Sequence, residues 1–274
     1  MTLPQPSPDA AEIGAALAAA GVPAGRFLID VRDDVSSTNS TLIELAEQGA
    51  ASGTVLLAHC QRAGRGRRGR QWHSSPGDSL TFSLLWRFAP GTVPAGLSLA
   101  VGVALVRALS QFSQVCAGDT ALAQRLRLKW PNDLLLDERK LAGVLIELVP
   151  GAPHAAVIGI GLNRRLPADL PPEVCALACA WPPATPPARL LASLLKELGR
   201  CADEFAHGGF AALRSEWQGH HAHQNQAVRL CDELTGERHG VCRGVDVDGA
   251  LLLETPAGIE RVISGDVSLR GPGS

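Results

Sequence analysis

The chain has 274 residues, 46% of them hydrophobic, and a formal net charge of −2 at pH 7. A chain of this length can bury one substantial core and still hold a second, small domain. The near-neutral charge argues against a surface built as a whole for nucleic acid. No apolar run approaches the ~18 residues that a membrane-spanning helix requires.

The amino-terminal residues and the cysteines predict where the protein works. The first twenty residues include Asp9 and Glu12 but neither lysine nor arginine, which is unlike a secretory signal. Seven cysteines, an odd number without a Cys-x-x-Cys pair, indicate free thiols in a reducing compartment. We therefore expect a cytoplasmic protein that does not associate with a membrane.

Residues 1–25 are predicted to form an extension that is either disordered or holds one short helix. An alanine-rich helix is expected over 10–20, ended by Gly21. One helix is too little for a helix-turn-helix, which requires at least two. After a short strand at 27–31, Ser37 or Thr38 can cap the helix that follows.

Five arginines and three glycines fall within residues 62–70, a segment that we call the arginine loop. Strands are predicted on both sides of it, at 54–60 and at 79–88. Glycines let backbone N–H groups approach a phosphate, and arginine binds phosphate or carboxylate oxygens two at a time. The loop therefore suits a small anion. The alternative is a solvated segment that contacts nucleic acid without sequence preference.

The remainder of the chain alternates helices with strands and then changes character. A helix with a wide apolar stripe is predicted over 96–112, where it packs on a sheet. Beyond about residue 224, short strands with tight turns predict a small β-barrel. The other expected elements are strands at 126–130, 134–136, 140–149 and 155–163, helices at 190–205 and 210–217, and barrel strands at 227–231, 240–247, 250–254 and 259–269.

Three histidines, His220, His221 and His223, lie close together in the chain. They could suggest a metal site. Their neighbours are glutamine and asparagine, with no carboxylate nearby, so an exposed linker is the prediction.

The segment Lys129-Trp-Pro-Asn-Asp133 ends a strand with groups suited to a ligand. Asn132 and Asp133 are expected where the strand opens into a turn, and Asp133 could hold Mg²⁺ bound to a nucleotide. The alternative is an Asx-turn that only caps the strand. Lys140 opens a later strand and is either a solvated edge charge or an anion hook.

These segments resemble, in order and spacing, the bacterial biotin protein ligases. The matching blocks are Ser37-Thr-Asn39, Gly64 to Arg70 with Trp72, Lys129 to Asp133, Arg139 to Gly143, and Ile158 to Asn163. The turn Asp248-Gly249 and the segment 265–270 look like the family's carboxyl-terminal barrel. Any one block would be weak evidence, whereas five in order are specific.

The resemblance implies both a fold and an activity. The fold is an α+β catalytic domain of the biotin–lipoyl ligase type, like class II aminoacyl-tRNA synthetases, over 26–223, with an SH3-like β-barrel over 224–274. The activity joins biotin, through biotinyl-AMP made from ATP with Mg²⁺, to a lysine of a carrier domain of acetyl-CoA carboxylase or another biotin-dependent carboxylase. A lipoate ligase of the same fold, and an Arg/Gly-loop nucleic-acid-binding protein, are the alternatives.

The resemblance also implies roles for individual residues. Arg67 and Lys140 are expected to be catalytic, and Asp133 is the expected metal ligand. The expected biotin contacts are Ser37, Thr38, Asn39, Gln61, Gly64, Arg65, Arg67, Lys140, Gly143, Gly159 and Gly161. The expected nucleotide contacts are Arg67, Arg70, Trp72, Lys129, Asn132, Lys140 and Asn163.

Two departures from the family pattern limit what is carried over. Ser36 occupies a position where the family often has Asp, so no role for that acid is transferred. The residues ahead of the first strand are too few for the winged helix of members that repress transcription. We therefore expect a ligase without specific DNA binding, as a monomer or a homodimer.

Overall fold

The computed structural model describes residues 8–73, 75–114, 120–167, 170–182, 185–232, 236–263 and 267–270. They form a seven-stranded sheet with helices and a five-stranded carboxyl-terminal sheet. The helices are α1 (Ala10–Ala19), α2 (Thr38–Glu47), α3 (Leu97–Phe112), α4 (Thr120–Gln124), α5 (Pro172–Leu177), α6 (Pro187–Gly208) and α7 (Arg214–Gly219), with short 3-10 turns at Arg67–Gly69 and Phe210–Ala212.

The seven-stranded sheet has the order β1-β2-β3-β7-β6-β5-β4. Only β1 and β2 are parallel, joined by the crossover through α2; all other neighbours are antiparallel. Its strands are β1 (Leu28–Val35), β2 (Thr54–Gln61), β3 (Ser79–Arg87), β4 (Leu126–Lys129), β5 (Asp133–Leu136), β6 (Arg139–Val149) and β7 (Ala152–Asn163). The predicted mixed sheet is confirmed.

The two faces of this sheet are covered unequally. On one face, residues such as Leu57, Phe82 and Ile158 join α1, α3 and α6 in the main core. On the other face, α2 packs through Leu42 and Ala46 over only part of the strands. The uncovered remainder of that face is available for a ligand.

The amino-terminal helix α1 packs against the main core of the protein. A capping box between Asp9 and Glu12 begins α1, and its buried Ile13 and Leu17 join the main core, where α1 packs on α6. Lys196 on α6 donates a hydrogen bond to the carbonyl of Ala20 at 3.0 Å. One short helix was among the sequence-based expectations; residues 1–7 lie outside the described residues.

The expected exposed histidine linker is wrong. The backbone of His220 accepts a hydrogen bond from Leu128 at 2.7 Å, so this segment pairs with β4 at the edge of the sheet. The side chain of His221 is buried and lies against Trp217, with ring centroids 4.4 Å apart. Burial lowers the pKa of His221 to about 4. Polar composition concealed a segment whose backbone extends the sheet.

The carboxyl-terminal sheet has the order β11-β10-β9-β8-β12 and is antiparallel throughout. Its strands are β8 (Ala227–Asp232), β9 (Gly236–Val245), β10 (Leu251–Thr255), β11 (Gly258–Val262) and β12 (Val267–Arg270). The single strand expected over 259–269 is two strands, with residues 264–266 outside the described residues. The expected separate carboxyl-terminal β domain is confirmed; the boundary at 223/224 stays a prediction.

One hydrogen bond joins this sheet to the end of β4. Trp130 is buried, and its Nε1 donates to the carbonyl of Gly249 at 3.0 Å. Gly249 has a φ of +83°, and a Cβ there would lie 2.9 Å from the Cα of Gly96. The predicted Asp248-Gly249 turn thus brings the small domain against the segment 129–133.

None of the helices in the described part of the chain is long and apolar enough to span a membrane.

Candidate active site

A cavity of about 470 Å³ lies on the uncovered face of the seven-stranded sheet. It is bounded by the start of α2, the arginine loop, the segment 129–133 and strands β3, β6 and β7. All but two of the predicted catalytic, biotin-binding, nucleotide-binding and metal-binding residues line this cavity. They are Ser37, Thr38, Asn39, Gln61, Arg65, Arg67, Arg70, Trp72, Lys129, Asn132, Asp133, Lys140, Gly143, Gly159 and Gly161. Gly64 and Asn163 are not in the lining.

Strand periodicity explains which side chains face the cavity. Residues two apart on a strand share a face, and the pairing of β3, β6 and β7 sets Gly161 opposite both Thr81 and Gly143. Two glycines make room on this floor. A Cβ on Gly159 would lie 2.2 Å from Asn39 Oδ1, and one on Gly161 would lie 2.3 Å from the ring of Trp72.

Buried, uncharged hydrogen-bonding groups line one part of the cavity, and Ser83, which lies outside the lining, contacts two of them. The N–H and hydroxyl of Thr38 both donate to Gln61 Oε1, at 2.8 and 3.1 Å. The hydroxyl of Ser83 lies 2.7 Å from Thr38 Oγ1 and 2.6 Å from Asn39 Oδ1. Ser37 is the N-cap residue of α2, but its side chain makes no capping hydrogen bond.

Ser83 was not among the predicted site residues. The sequence does contain a signal for it, because Thr81, Ser83 and Arg87 alternate with apolar residues along the strand predicted over 79–88. What the sequence lacked was the register that places Ser83 beside α2. Glu147 was not among the predicted site residues either. Its hydrogen-bond partners Asn39 and Arg65 lie in α2 and in the arginine loop, far from it in the chain.

The arginine loop folds as a small hairpin. Trp72 N–H donates to the carbonyl of Gly64 at 2.9 Å, and Gly66 N–H donates to that of Arg70 at 2.7 Å. A Cβ on Gly64 would lie 2.4 Å from the carbonyl oxygen of Trp72, so Gly64 serves closure of the hairpin. Arg68, with a φ of 59°, takes the left-handed conformation at the tip.

Ion pairs anchor this loop at two points. Arg62 pairs with Asp34 of β1, and Arg65 pairs with Glu147 of β6 at 2.6 Å. A second cavity of about 580 Å³ lies beneath the loop, lined by residues 62–71 together with Leu145 and Glu147. The loop is thus held over the sheet, and its arginines line this second cavity.

Lys140 lies near an aromatic ring and a carboxylate. Its Nζ is 2.6 Å from Asp133 Oδ1 and 5.8 Å from the centroid of the Trp72 ring. The indole N–H of Trp72 has no hydrogen-bond partner among the described residues. The aromatic face and the ammonium group together suit a flat, anionic ligand.

The two asparagines expected at the nucleotide differ in position. Asn132 lines the cavity and donates from Nδ2 to the carbonyl of Val144 at 2.7 Å. Asn163 is buried, and its Nδ2 donates to the carbonyl of Cys179 at 3.0 Å. In this structure Asn163 supports the backbone next to the site.

The residues present fit Mg²⁺ only as a partner of nucleotide phosphates. Among the described residues, no group of three or more His, Cys, Asp and Glu side chains could hold a metal ion by itself. Asp133 and Glu138 are the carboxylates in the cavity lining, and Asp133 also pairs with Lys140. A hard cation that keeps its water and phosphate oxygens requires no more than one or two protein carboxylates.

Comparison with known proteins agrees with this geometry. The sequence profile of the Biotin/lipoate A/B protein ligase family matches residues 32–163, which contain β2 to β7, half of β1 and most of the cavity lining. The profile of the Biotin protein ligase C terminal domain matches residues 223–270. The first match places the chain among the biotin and lipoate protein ligases. The second match, to a domain of biotin protein ligases, favours the biotin enzymes within that class.

Individual relatives agree with both matches. The bifunctional ligase/repressor BirA of Escherichia coli is 35% identical over 244 residues, which cover 86% of this chain and 72% of that protein. The biotin--[acetyl-CoA-carboxylase] ligase of Paracoccus denitrificans is 33% identical, covering 86% of this chain and 98% of that protein. The chain therefore belongs to the biotin protein ligase family.

A solved structure shows the same fold. The biotin protein ligase from Aquifex aeolicus, in complex with biotin and ATP, superposes with a TM-score of 0.74 at 27% identity. The match covers 89% of this chain and 98% of that one. Both sheets of the present structure thus fall within a known ligase architecture.

Proposed function

We propose that this chain uses ATP to join biotin to a specific lysine of a biotin carboxyl carrier domain, through biotinyl-AMP. The observation that carries the proposal is the composition of the cavity. Neutral buried groups of Thr38 and Gln61 suit an uncharged ureido ring, and Lys140 with the arginine loop suits a carboxylate and phosphates. Family membership supports the same chemistry.

In the first step, an oxygen of the biotin carboxylate attacks the α-phosphorus of ATP. An O–P bond forms, the bond to the β-phosphate oxygen breaks, and pyrophosphate leaves. Two anions must approach each other, and fixed cations offset their repulsion. Lys140 and Arg67, which both line the cavity, are assigned to this role.

The remaining contacts follow from the lining. Ser37, Thr38 and Gln61 are assigned to the ureido ring, and Gly143, Gly159 and Gly161 to close backbone approach. The residues assigned to the nucleotide are Arg70, Trp72, Lys129 and Asn132. Mg²⁺, when bound, neutralises charge on the phosphates, and Asp133 is the residue assigned to hold it.

In the second step, the uncharged ε-amino nitrogen of the carrier lysine attacks the acyl carbon of biotinyl-AMP. A C–N bond forms, the bond from the acyl carbon to the phosphate oxygen breaks, AMP leaves, and the nitrogen releases a proton to solvent. The intermediate is a mixed anhydride that water would destroy, so the arginine loop is assigned to shield it. The carrier is expected to belong to acetyl-CoA carboxylase or another biotin-dependent carboxylase, in the cytoplasm.

A lipoate ligase is the second candidate, because the matched family includes both kinds of enzyme. The two are separated by exchange of labelled pyrophosphate into ATP with biotin or lipoate as the only acid. We expect exchange with biotin and none above background with lipoate. Exchange that depends on lipoate alone would contradict the proposal.

We also propose that this chain does not bind a specific DNA operator. Ahead of β1 the described residues contain the single helix α1, which is packed on α6. Operator binding by a helix-turn-helix requires a recognition helix in the groove and several phosphate contacts. A discrete gel-shift complex at physiological salt that biotin and ATP strengthen would contradict this.

A further inference from the structure

Glu147 of β6 connects two parts of the candidate site. Its Oε1 accepts a hydrogen bond from Arg65 Nη2 at 2.6 Å, and its Oε2 accepts one from Asn39 Nδ2 at 2.9 Å. Arg65 belongs to the arginine loop, whereas Asn39 belongs to α2 beside the cavity floor. The carboxylate of Glu147 therefore connects the arginine loop to α2 at the main cavity.

Both the nitrogen and the oxygen of the Asn39 carboxamide make hydrogen bonds within the protein. Its amide group has two hydrogens, and these bond to Glu147 and to the carbonyl of Leu145, the latter at 3.3 Å. Its Oδ1 lies 2.6 Å from the hydroxyl of Ser83. With both hydrogens used inside the protein, Asn39 supplies a rigid attachment point for Glu147.

The ion pair of Arg65 with Glu147 is less exposed to solvent than the ion pair of Arg62 with Asp34. The side chains of Arg65 and Glu147 are 48% and 22% exposed, against 68% and 39% for Arg62 and Asp34. Arg65 is further held by Ser40, whose hydroxyl accepts from Nη1 at 3.0 Å. Charge-assisted hydrogen bonds gain strength when they are removed from water, and exposed ion pairs contribute little.

We infer that Glu147 is a positioning residue that keeps the arginine loop closed over the acyl-adenylate by holding Arg65. It does not line the main cavity but lies in the wall of the cavity beneath the loop. Its effect is therefore on retention of the intermediate, with little effect on its formation. This inference rests on the proposed function.

The test compares Glu147→Gln with Asp34→Asn, which weakens the more exposed anchor and lies outside the site. Biotinyl-AMP is formed on each protein, and its release is followed after rapid separation from free biotin and ATP. For Glu147→Gln we expect release faster by about tenfold, because a charge-assisted bond becomes a neutral one. Adenylate formation at saturating biotin and the melting temperature should stay near wild type, and Asp34→Asn should release as wild type does.

A double-mutant cycle with Arg65→Ala tests the route of the effect. Because Glu147 acts through Arg65, adding Glu147→Gln to Arg65→Ala should accelerate release no further. Should Glu147→Gln not fold, Glu147→Asp replaces it; its carboxylate is one methylene shorter and cannot span both partners, so faster release is again expected.

Two results would overturn the inference. One is release from the Glu147 variant that matches Asp34→Asn; the other is full acceleration in the Arg65→Ala background. Wild-type protein that forms no biotinyl-AMP would instead contradict the proposed function. The two failures are therefore distinguishable.

Discussion

Lys140 is the residue on which the proposed chemistry depends most directly. Its ammonium group lines the cavity beside Asp133 and above the Trp72 ring. We predict that Lys140→Ala lowers biotin-dependent pyrophosphate exchange by about a hundredfold or more, because two anions then face each other without a fixed cation. Exchange at the wild-type rate would refute the role.

The same substitution should leave the fold intact. The side chain of Lys140 is 36% exposed, and an ion pair of this kind contributes at most about 1 kcal/mol to the free energy of unfolding. Urea unfolding of Lys140→Ala checks this. A large loss of stability would mean that inactivity reports unfolding and not chemistry.

Gly159 tests the close packing of the cavity floor. A Cβ at this position would lie 2.2 Å from Asn39 Oδ1, so Gly159→Ala must displace the Asn39 carboxamide and disturb its bonds to Ser83 and Glu147. We predict a biotin affinity at least about tenfold weaker and a loss of roughly 1–3 kcal/mol in stability. Isothermal titration and urea unfolding measure the two.

Gly14 supplies the matched control for that substitution. It lies in α1, and a Cβ there meets nothing within 4 Å. Gly14→Ala should leave biotin affinity unchanged and raise stability by about 0.5–1 kcal/mol, because alanine favours a helix over glycine. Equal biotin affinities for the two variants would contradict the packing argument.

The segment 220–223, which we call the histidine segment, makes the free energy of unfolding depend on pH. Burial holds the pKa of His221 at about 4 in the folded state, below the ~6.5 expected of the unfolded chain. The unfolded chain therefore binds a proton first as pH falls. The stabilisation is complete above about pH 6.5 and is lost as pH falls towards 4, by up to about 3 kcal/mol.

Replacing the ring of His221 by one that cannot titrate should reduce this dependence, while His220 and His223, whose pKa values burial also lowers, still contribute. We predict that His221→Phe, which can still lie against Trp217, loses less stability than wild type between pH 7.5 and pH 5. His239, on β9 with a side chain 70% exposed, is the control position, and His239→Gln should follow wild type. An identical pH dependence of unfolding in all three proteins would contradict the assignment.

Some elements could be predicted from sequence because their signals are local. The alternation of Leu80, Phe82 and Leu84 predicts β3, and the apolar stripe over 96–112 predicts α3. The motif blocks placed most of the cavity lining, because each block lies at the end of a strand or in the loop between two strands. Short-range periodicity and residue chemistry suffice for such features.

Other elements depend on contacts that sequence does not display. The histidine segment pairs with β4 through its backbone, so its polar side chains gave the wrong prediction of an exposed linker. The carboxylate of Glu147 has partners from 82 and 108 residues away in the chain. Register and tertiary packing decide such cases, and neither can be read from a single strand.

At the scale of the whole molecule, both sheets meet at the segment 129–133. The indole N–H of Trp130 bonds to Gly249 of the small domain, while its neighbours Lys129 and Asn132 line the cavity. The small domain is thus in direct contact with the nucleotide side of the proposed site.

Transfer of biotin to a carrier lysine is the activity proposed for this chain. The most direct test is the intact mass of a purified biotin carboxyl carrier domain after incubation with this protein, biotin and MgATP. We predict a gain of one biotinyl group, absent when ATP is omitted and absent when the acceptor lysine is replaced by arginine. An unchanged carrier mass under conditions in which a known biotin protein ligase modifies the same carrier would contradict it.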